Sequence, residues 1–418
     1  MPSSAMKTIV LLALLLATAT QAADWPHWRG PNRNGISEET IGTNFPGDGP
    51  KVLWKASVGI GFTSFSVADG KVFTMGWADD KDTVFAFDAK SGKQLWSHSY
   101  DAELGDKYYE GGPHATPTID GANVFTLGKW GDVFCFDAAT GKVVWEKNVA
   151  KELKVDAPTW GFAGSPVVSG KQLFLNIGTS ACSLDKATGK VLWSSDGKTE
   201  SGYSTPLQVK LSGQDILFTA NTKAYLALDP ATGKQLWDIP WVTRYGINAA
   251  DPIVNGSNFF ISTGYGKGCA MYELKAGESK LLWQHRDLRT QMNAAVLIDG
   301  HLYGIDGDES QKTMLKCLDV ATGATKWSEP IAKMGSVVAA KNALIVLSGK
   351  GELTLAKISP AGYEPITTAQ ILSGKCWSVP VLANGILYVA SNTHLYAFHD
   401  SAKAGASSDQ PAKVTVKP

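Results

Sequence analysis

The sequence predicts an all-β fold, an eight-bladed β-propeller of four-stranded blades closed by its N-terminal strand. Three observations carry this. A ten-residue phrase recurs as Phe87–Trp96, Phe136–Trp145, Leu184–Trp193, Leu228–Trp237 and Leu318–Trp327, and in every copy an Asp stands 8 residues before the Trp. A second phrase runs ahead of the copies: Thr116-Pro117-Thr118-Ile119-Asp120-Gly121, Ser165-Pro166-Val167-Val168-Ser169-Gly170, Asp251-Pro252-Ile253-Val254-Asn255-Gly256 and Val379-Pro380-Val381-Leu382-Ala383-Asn384-Gly385. The period of roughly 45 residues, filled with short apolar strands, is the signature of a radially repeated sheet.

Each element follows from its residues. The second phrase is a short strand, a Gly turn and an apolar strand such as Leu173-Phe174-Leu175-Asn176. The first phrase begins with an alternating strand, Val84-Phe85-Ala86-Phe87, that runs into Asp88. The Asp carboxylate can accept from backbone N–H groups two or three residues on. Gly92 supplies the positive φ of a short hairpin. The outer strand then returns to Trp96, a large flat residue with one donor, suited to the gap between neighbouring sheets. Because Asp, Thr (Ser91 in the first copy), Gly and Trp recur through the copies, they read as structural rather than catalytic. The docking tryptophans on this reading are Trp54, Trp96, Trp145, Trp193, Trp237, Trp283 and Trp327.

Innermost strands begin near Ser64, Ala115, Gly164, Ser204, Ala250, Asn293, Ser336 and Ser378, which makes eight blades. Two turns are degenerate. Tyr272-Glu273-Leu274 leads to Trp283 with a spacing of 10, and Leu355-Ala356-Lys357 has no outer Trp. The last blade ends at Leu395-Tyr396-Ala397-Phe398 without an outer strand, while Lys51-Val52-Leu53-Trp54 is an outer strand without a hairpin. The N-terminal strand is therefore expected to complete the last blade, which removes exposed edges.

The propeller takes residues 51–400. Residues 1–22 read as a cleaved signal peptide: Lys7, the apolar core Thr8–Ala17, then Thr20-Gln21-Ala22 before Ala23. The core is shorter than the about 20 residues a bilayer needs. The mature chain is thus expected to be periplasmic or secreted. No Cys follows the leader closely, the first being Cys135, so no lipid anchor is expected. Residues 23–50 form an aromatic, Gly- and Pro-rich extension expected to pack on the propeller, and residues 401–418 a disordered tail.

Lys plus Arg equals Asp plus Glu at 39 each, and no basic stripe appears, which argues against nucleic acid as a partner. The five cysteines, Cys135, Cys182, Cys269, Cys317 and Cys376, are widely spaced, with no vicinal pair and no Cys-x-x-Cys. They read as small buried hydrophobes, free of disulfides. No His/Cys cluster has ligand spacing, so no metal site is expected.

The turn Asp-Ala-x-Thr-Gly-Lys-x-x-Trp resembles the tryptophan-docking repeat of the quinoprotein dehydrogenase superfamily, over almost the whole mature chain. The opening Asp24-Trp25-Pro26-His27-Trp28-Arg29-Gly30-Pro31 resembles the start of PQQ-like repeat proteins. The resemblance implies an eight-bladed propeller and two kinds of relative. One is the dehydrogenases that use pyrroloquinoline quinone (PQQ) and calcium to oxidise alcohols or sugars. The other is non-enzymatic propellers, such as the scaffold subunit of the outer-membrane assembly machinery. The chain departs from the dehydrogenases in lacking their vicinal Cys pair and their pocket-building insertions. It departs from the scaffold in lacking a lipid-attachment Cys.

In a propeller the loops that enter the innermost strands surround one mouth of the central channel. Here they carry Tyr109, Glu110 and His114; Trp160; Glu200 and Tyr203; Arg244 and Asn248; Arg289, Gln291 and Asn293; Lys375 and Trp377. Aromatics, arginines, amides and a histidine around one opening have the makeup of a ligand site. The bland reading is that Trp160 and Trp377 plug the channel and the charges are solvated. The candidate binding residues are His114, Trp160, Arg244, Asn248, Arg289, Asn293 and Trp377, with no catalytic residue assigned. Three functions remain open. The first is an exported monomeric propeller that binds a protein partner or small ligand, without cofactor. The alternative is a quinoprotein oxidoreductase with PQQ and calcium. The third is a hydrolase, whose paired carboxylates would be Glu110 and Glu200.

Overall fold

A computed structural model describes residues 23–46, 49–195, 199–275, 277–308, 312–399 and 412–414. The expected signal peptide at 1–22 and most of the tail at 401–418 lie outside them. The described chain folds as eight sheets, one per blade, each built on four antiparallel strands. Blades 1 to 7 span 66–101, 118–148, 167–194, 207–240, 253–285, 296–330 and 336–370, each four strands in chain order. Blade 8 takes its three inner strands from 381–399 and its fourth from Val52–Ser57. That strand runs antiparallel to His394–His399, with Lys55 opposite Tyr396 and Ser57 opposite His394, so the N-terminal strand closes the ring as expected. Ala412–Val414, inside the segment read as a disordered tail, lies parallel to Val52–Ser57 as a fifth strand. No helix among the described residues is long and apolar enough to cross a membrane.

The repeated turn does what its residues dictate. Asp137 Oδ1 accepts from the backbone N–H of Thr140 at 2.8 Å and from its hydroxyl at 2.7 Å. Hydrogen bonds from Thr140 hold this carboxyl below the usual carboxylate range. The turn glycine has a second duty. A Cβ on Gly92 would lie 2.4 Å from the Trp54 ring, and one on Gly141 would lie 2.5 Å from Trp96. Trp54, Trp96, Trp145, Trp193 and Trp283 thus lie against the bare backbone of the next blade's turn glycine, and these five and Trp327 each donate to a carbonyl of that turn. Trp54 reaches Ala89, Trp96 Ala138, Trp145 Lys186, Trp193 Pro230, Trp283 Val320 and Trp327 Ser359. Trp237 faces the degenerate turn after Glu273, and its Nε1 has no partner among the described residues.

The core is accordingly a series of seams. Phe73, Val84, Ala86 and Trp96 of blade 1 pack on Val124, Phe134 and Phe136 of blade 2, and similar clusters fill the other seams. All five cysteines are buried and unpaired. Burial pushes the Cys135, Cys269 and Cys376 thiols up to about 12, which keeps them protonated.

The extension does more than pack on the propeller. Trp25 exchanges backbone hydrogen bonds with Val67 of blade 1, both at 2.8 Å, and Pro26 accepts from Ile119 of blade 2. The Arg29 guanidinium donates to the Ala294 and Ala295 carbonyls at the entry to blade 6. Ile36 bridges Ala339 of blade 7, and Glu39 accepts from the Gly385 N–H in the first hairpin of blade 8. The segment therefore crosses the channel on the face where the innermost strands end.

Candidate functional site

In blades 2 to 4 the residue before the inner-strand proline ties its blade to the preceding one. Thr116 Oγ1 accepts from Ser64 N (3.1 Å), Ser165 Oγ from Thr116 N (3.0 Å) and Thr205 Oγ1 from Ser165 N (3.1 Å). In blade 5 this place is held by Asp251, whose Oδ1 accepts from Thr205 N at 2.8 Å. A carboxylate does the hydroxyl's work with one oxygen and has another to spare. Asp251 Oδ2 takes the indole N–H of Trp28, which has entered from the opposite face. Burial pushes the Asp251 carboxyl up, against the pull of Arg29, the Trp28 and Thr205 hydrogen bonds and Arg33.

Trp28 and Asp251 lie among the walls of a cavity of about 350 Å³ at the other mouth. The channel is thus stoppered by the extension and becomes a blind pocket. Loop residues entering the blades line it: Phe62, Tyr108, Tyr109, His114, Trp160, Tyr203, Gln291, Asn293 and Trp377 among them. Tyr265 and Asp308 come from the turns between the second and third strands of blades 5 and 6. The aromatics support one another. Phe62 lies 4.9 Å from Trp377, Tyr109 5.3 Å from His114, and Trp160 meets Tyr203 edge-on at 5.9 Å between centroids.

Cationic side chains sit behind this wall rather than in it. Lys129 is buried and donates to the Leu104 and Gly105 carbonyls and to the Tyr109 hydroxyl, which fixes the loop that carries Tyr108 and Tyr109. Burial lowers this ammonium to about 8, against the pull of Asp82 and Asp106. Lys375 lies 4.2 Å over the Trp377 ring and pairs with Glu110 at 2.8 Å. The His114 ring is lowered to about 3 by burial and then by Lys129, so it is neutral at ordinary pH.

His114, Trp160, Asn293 and Trp377 meet in the cavity. Asn293 also donates to the carbonyls of Gly335 and Trp377, which ties blades 6, 7 and 8. The other three candidates lie elsewhere. Asn248 is fully buried, and its Nδ2 donates to the Asn221 and Trp241 carbonyls. Arg289 is paired with Asp306 at 2.8 Å. Arg244 is exposed and lies over the Tyr245 ring at 5.1 Å. Glu110 is held by Lys375 and Glu200 is exposed; the lining carboxylates are instead Asp251 and Asp308.

Sequence reasoning missed Trp28, Asp251, Lys129 and Tyr265. Only Asp251 left a signal, as the acid in a phrase that in blades 2 to 4 begins with a hydroxyl residue.

PQQ is a planar tricarboxylate that family dehydrogenases hold with calcium. The cavity offers flat aromatic walls, but no Lys or Arg lines it, and no set of three acidic, His or Cys groups among the described residues could hold a metal. The lining residues do not fit that pair.

Residues 80–329, more than half of the chain, match a family profile described as outer membrane protein assembly factor BamB. No curated protein matches the chain. BamB from Moraxella catarrhalis superposes with a TM-score of 0.62 at 14% identity, covering 84% of this chain and 99% of that one. A quinohemoprotein alcohol dehydrogenase from Comamonas testosteroni gives 0.66 at 14%, covering 96% and 84%. A europium-containing methanol dehydrogenase gives 0.53 at 11%, covering 90% and 98%. Identities this low speak to the fold alone.

Proposed function

The chain belongs to the family described as outer membrane protein assembly factor BamB, and from that premise we propose an exported, non-catalytic propeller that binds a partner's loop or a small ligand in its mouth cavity. One observation supports the reading above others: the channel is a blind, aromatic-walled cavity whose floor, Trp28, is supplied by the extension. Apolar walls with a few fixed polar groups are the usual makeup of a binding pocket. Trp and Tyr are also the residue types that dominate binding hot spots. Tyr108, Val242 and Tyr245 are large exposed apolar side chains, and Tyr108 belongs to the mouth itself.

The test is capture by the immobilised mature chain from a periplasmic extract. Trp160→Ala with Trp377→Ala should abolish retention of a component that the wild type holds, with the melting temperature moved by less than about 4 °C. Dye reduction that needs added PQQ and Ca²⁺, and that vanishes in the double variant, would overturn the non-catalytic reading.

A further inference from the structure

We propose that the face opposite the mouth carries a second binding site, a groove for an extended peptide segment between the innermost strands of blades 3 and 4. The groove has a volume of about 290 Å³ and is lined by Arg33 of the extension, Ser169 of blade 3, and Gln208, Val209, Lys210 and Asp215 of blade 4.

The extension itself shows what an innermost edge accepts. On blade 1 it forms an antiparallel bridge, Trp25 with Val67. On blade 7 it runs parallel, with Ser37 N donating to Ala339 O at 2.7 Å and Ala339 N to Gly35 O at 3.0 Å. Under that cover Ser66–Ala68 and Ser336–Ala339 are buried at every residue. The extension's backbone bridges and side-chain anchors go to blades 1, 2, 5, 6, 7 and 8. Among the described residues of the extension, blades 3 and 4 meet only the Arg33 side chain at this groove, and their edges are more open: Val168, Ser169, Gln208 and Val209 are half-buried and Lys210 is exposed. The groove thus continues an interface that the chain already makes with extended backbone.

The polar atoms select the occupant. Arg33 Nη1 and Gln208 Oε1 are both buried without a hydrogen-bond partner among the described residues. One is a donor and the other an acceptor. A peptide backbone carries both complements on each residue, C=O for the guanidinium and N–H for the amide oxygen. An inorganic anion would serve Arg33 and leave Gln208 short. Lys210 and Asp215 pair at 3.2 Å, so the rim favours neither acidic nor basic side chains.

A display library of random peptides of about twelve residues, panned on the full mature chain, tests this. An enriched peptide should bind with its affinity weakened at least roughly tenfold by Arg33→Ala, and likewise by Gln208→Ala, which keeps the guanidinium if Arg33→Ala fails to fold. A copy N-methylated at alternate amides should not bind. Amides in 167–169 and 207–211 should gain protection from hydrogen exchange, and Trp160→Ala at the mouth should change nothing. The proposal is overturned by no enrichment, by peptides indifferent to both substitutions or to N-methylation, or by inorganic phosphate displacing the peptide one for one.

Discussion

Around the rim, six seams close in the same way: an indole N–H of one blade donates to a turn carbonyl of the next. At the axis the blades agree on almost nothing. Blade 2 is entered by Tyr108, Tyr109 and His114, blade 3 by Trp160, blade 6 by Gln291 and Asn293, and blade 8 by Trp377. The same backbone carries both regions. Side chains that hold one sheet to the next must repeat, because each seam poses the same packing problem. Side chains that face the axis meet no such demand and are free to be chosen for a ligand. The seam between blades 4 and 5 is the instructive intermediate, since Trp237 is present there but faces a degenerate turn in place of the repeated one.

The largest effect should come from breaking a regular seam and comparing it with that one. Trp54 is fully buried and hydrogen-bonded, and it also holds the closing strand. Trp54→Ala should cost roughly 3–5 kcal/mol in chemical denaturation. Trp237→Ala should cost about half as much, since that indole is less buried and its N–H has no partner to lose among the described residues. Equal losses would show that the turn carbonyl contributes nothing to docking.

The rim was legible in the sequence because its chemistry recurs at fixed spacing. Asp137, Gly141 and Trp145 announce a turn, a bare backbone and a covering ring wherever they return. Closure was legible for the complementary reason, an orphan strand at Trp54 and a missing one after Phe398. The axis was only partly legible. A residue before an innermost strand can face the channel as Trp160 does, the neighbouring blade as Asn248 does, or solvent as Arg244 does, and spacing does not distinguish them. Trp28 was invisible as a wall because it comes from a segment outside the repeat, and Lys129 because its role depends on a loop folded behind Tyr109.

Buried titrating groups sharpen the comparison through pH. Burial, then Arg33, lowers His27 to about 3; burial, then Lys129, lowers His114 to about 3. Both pKa values lie below the unfolded value, so their stabilisation is whole above about pH 6.5 and is lost as the pH falls toward 3. By pH 5 each should cost about 2 kcal/mol relative to pH 7.5. Asp82, in the seam between blades 1 and 2, has the opposite sign. Burial raises it to about 7, against the Tyr100 hydrogen bond, so the folded chain gains stability as the pH falls from 7 toward 4. His114→Gln should therefore flatten the acid decline in melting temperature, and Asp82→Asn should steepen it. The reverse pattern would mean that His114 is charged in the fold.

The smallest effect separates a turn's own geometry from its docking duty. Gly141 and Gly170 are both hairpin glycines with positive φ, 72° and 57°. An alanine at either must adopt the left-handed region, at a cost of roughly 1–2 kcal/mol. At Gly170 nothing lies within 4 Å of the added methyl, so that should be the whole effect. At Gly141 the methyl would meet the Trp96 ring at 2.5 Å and lift the indole from its seat, where it donates to Ala138 O at 3.1 Å. Gly141→Ala should thus exceed Gly170→Ala by about 1 kcal/mol, and Trp96 fluorescence, isolated by difference against Trp96→Phe, should shift to the red in the first variant only. A matched pair of losses with no spectral change would reduce the repeated glycine to a turn residue and leave the seams to hydrophobic contact alone.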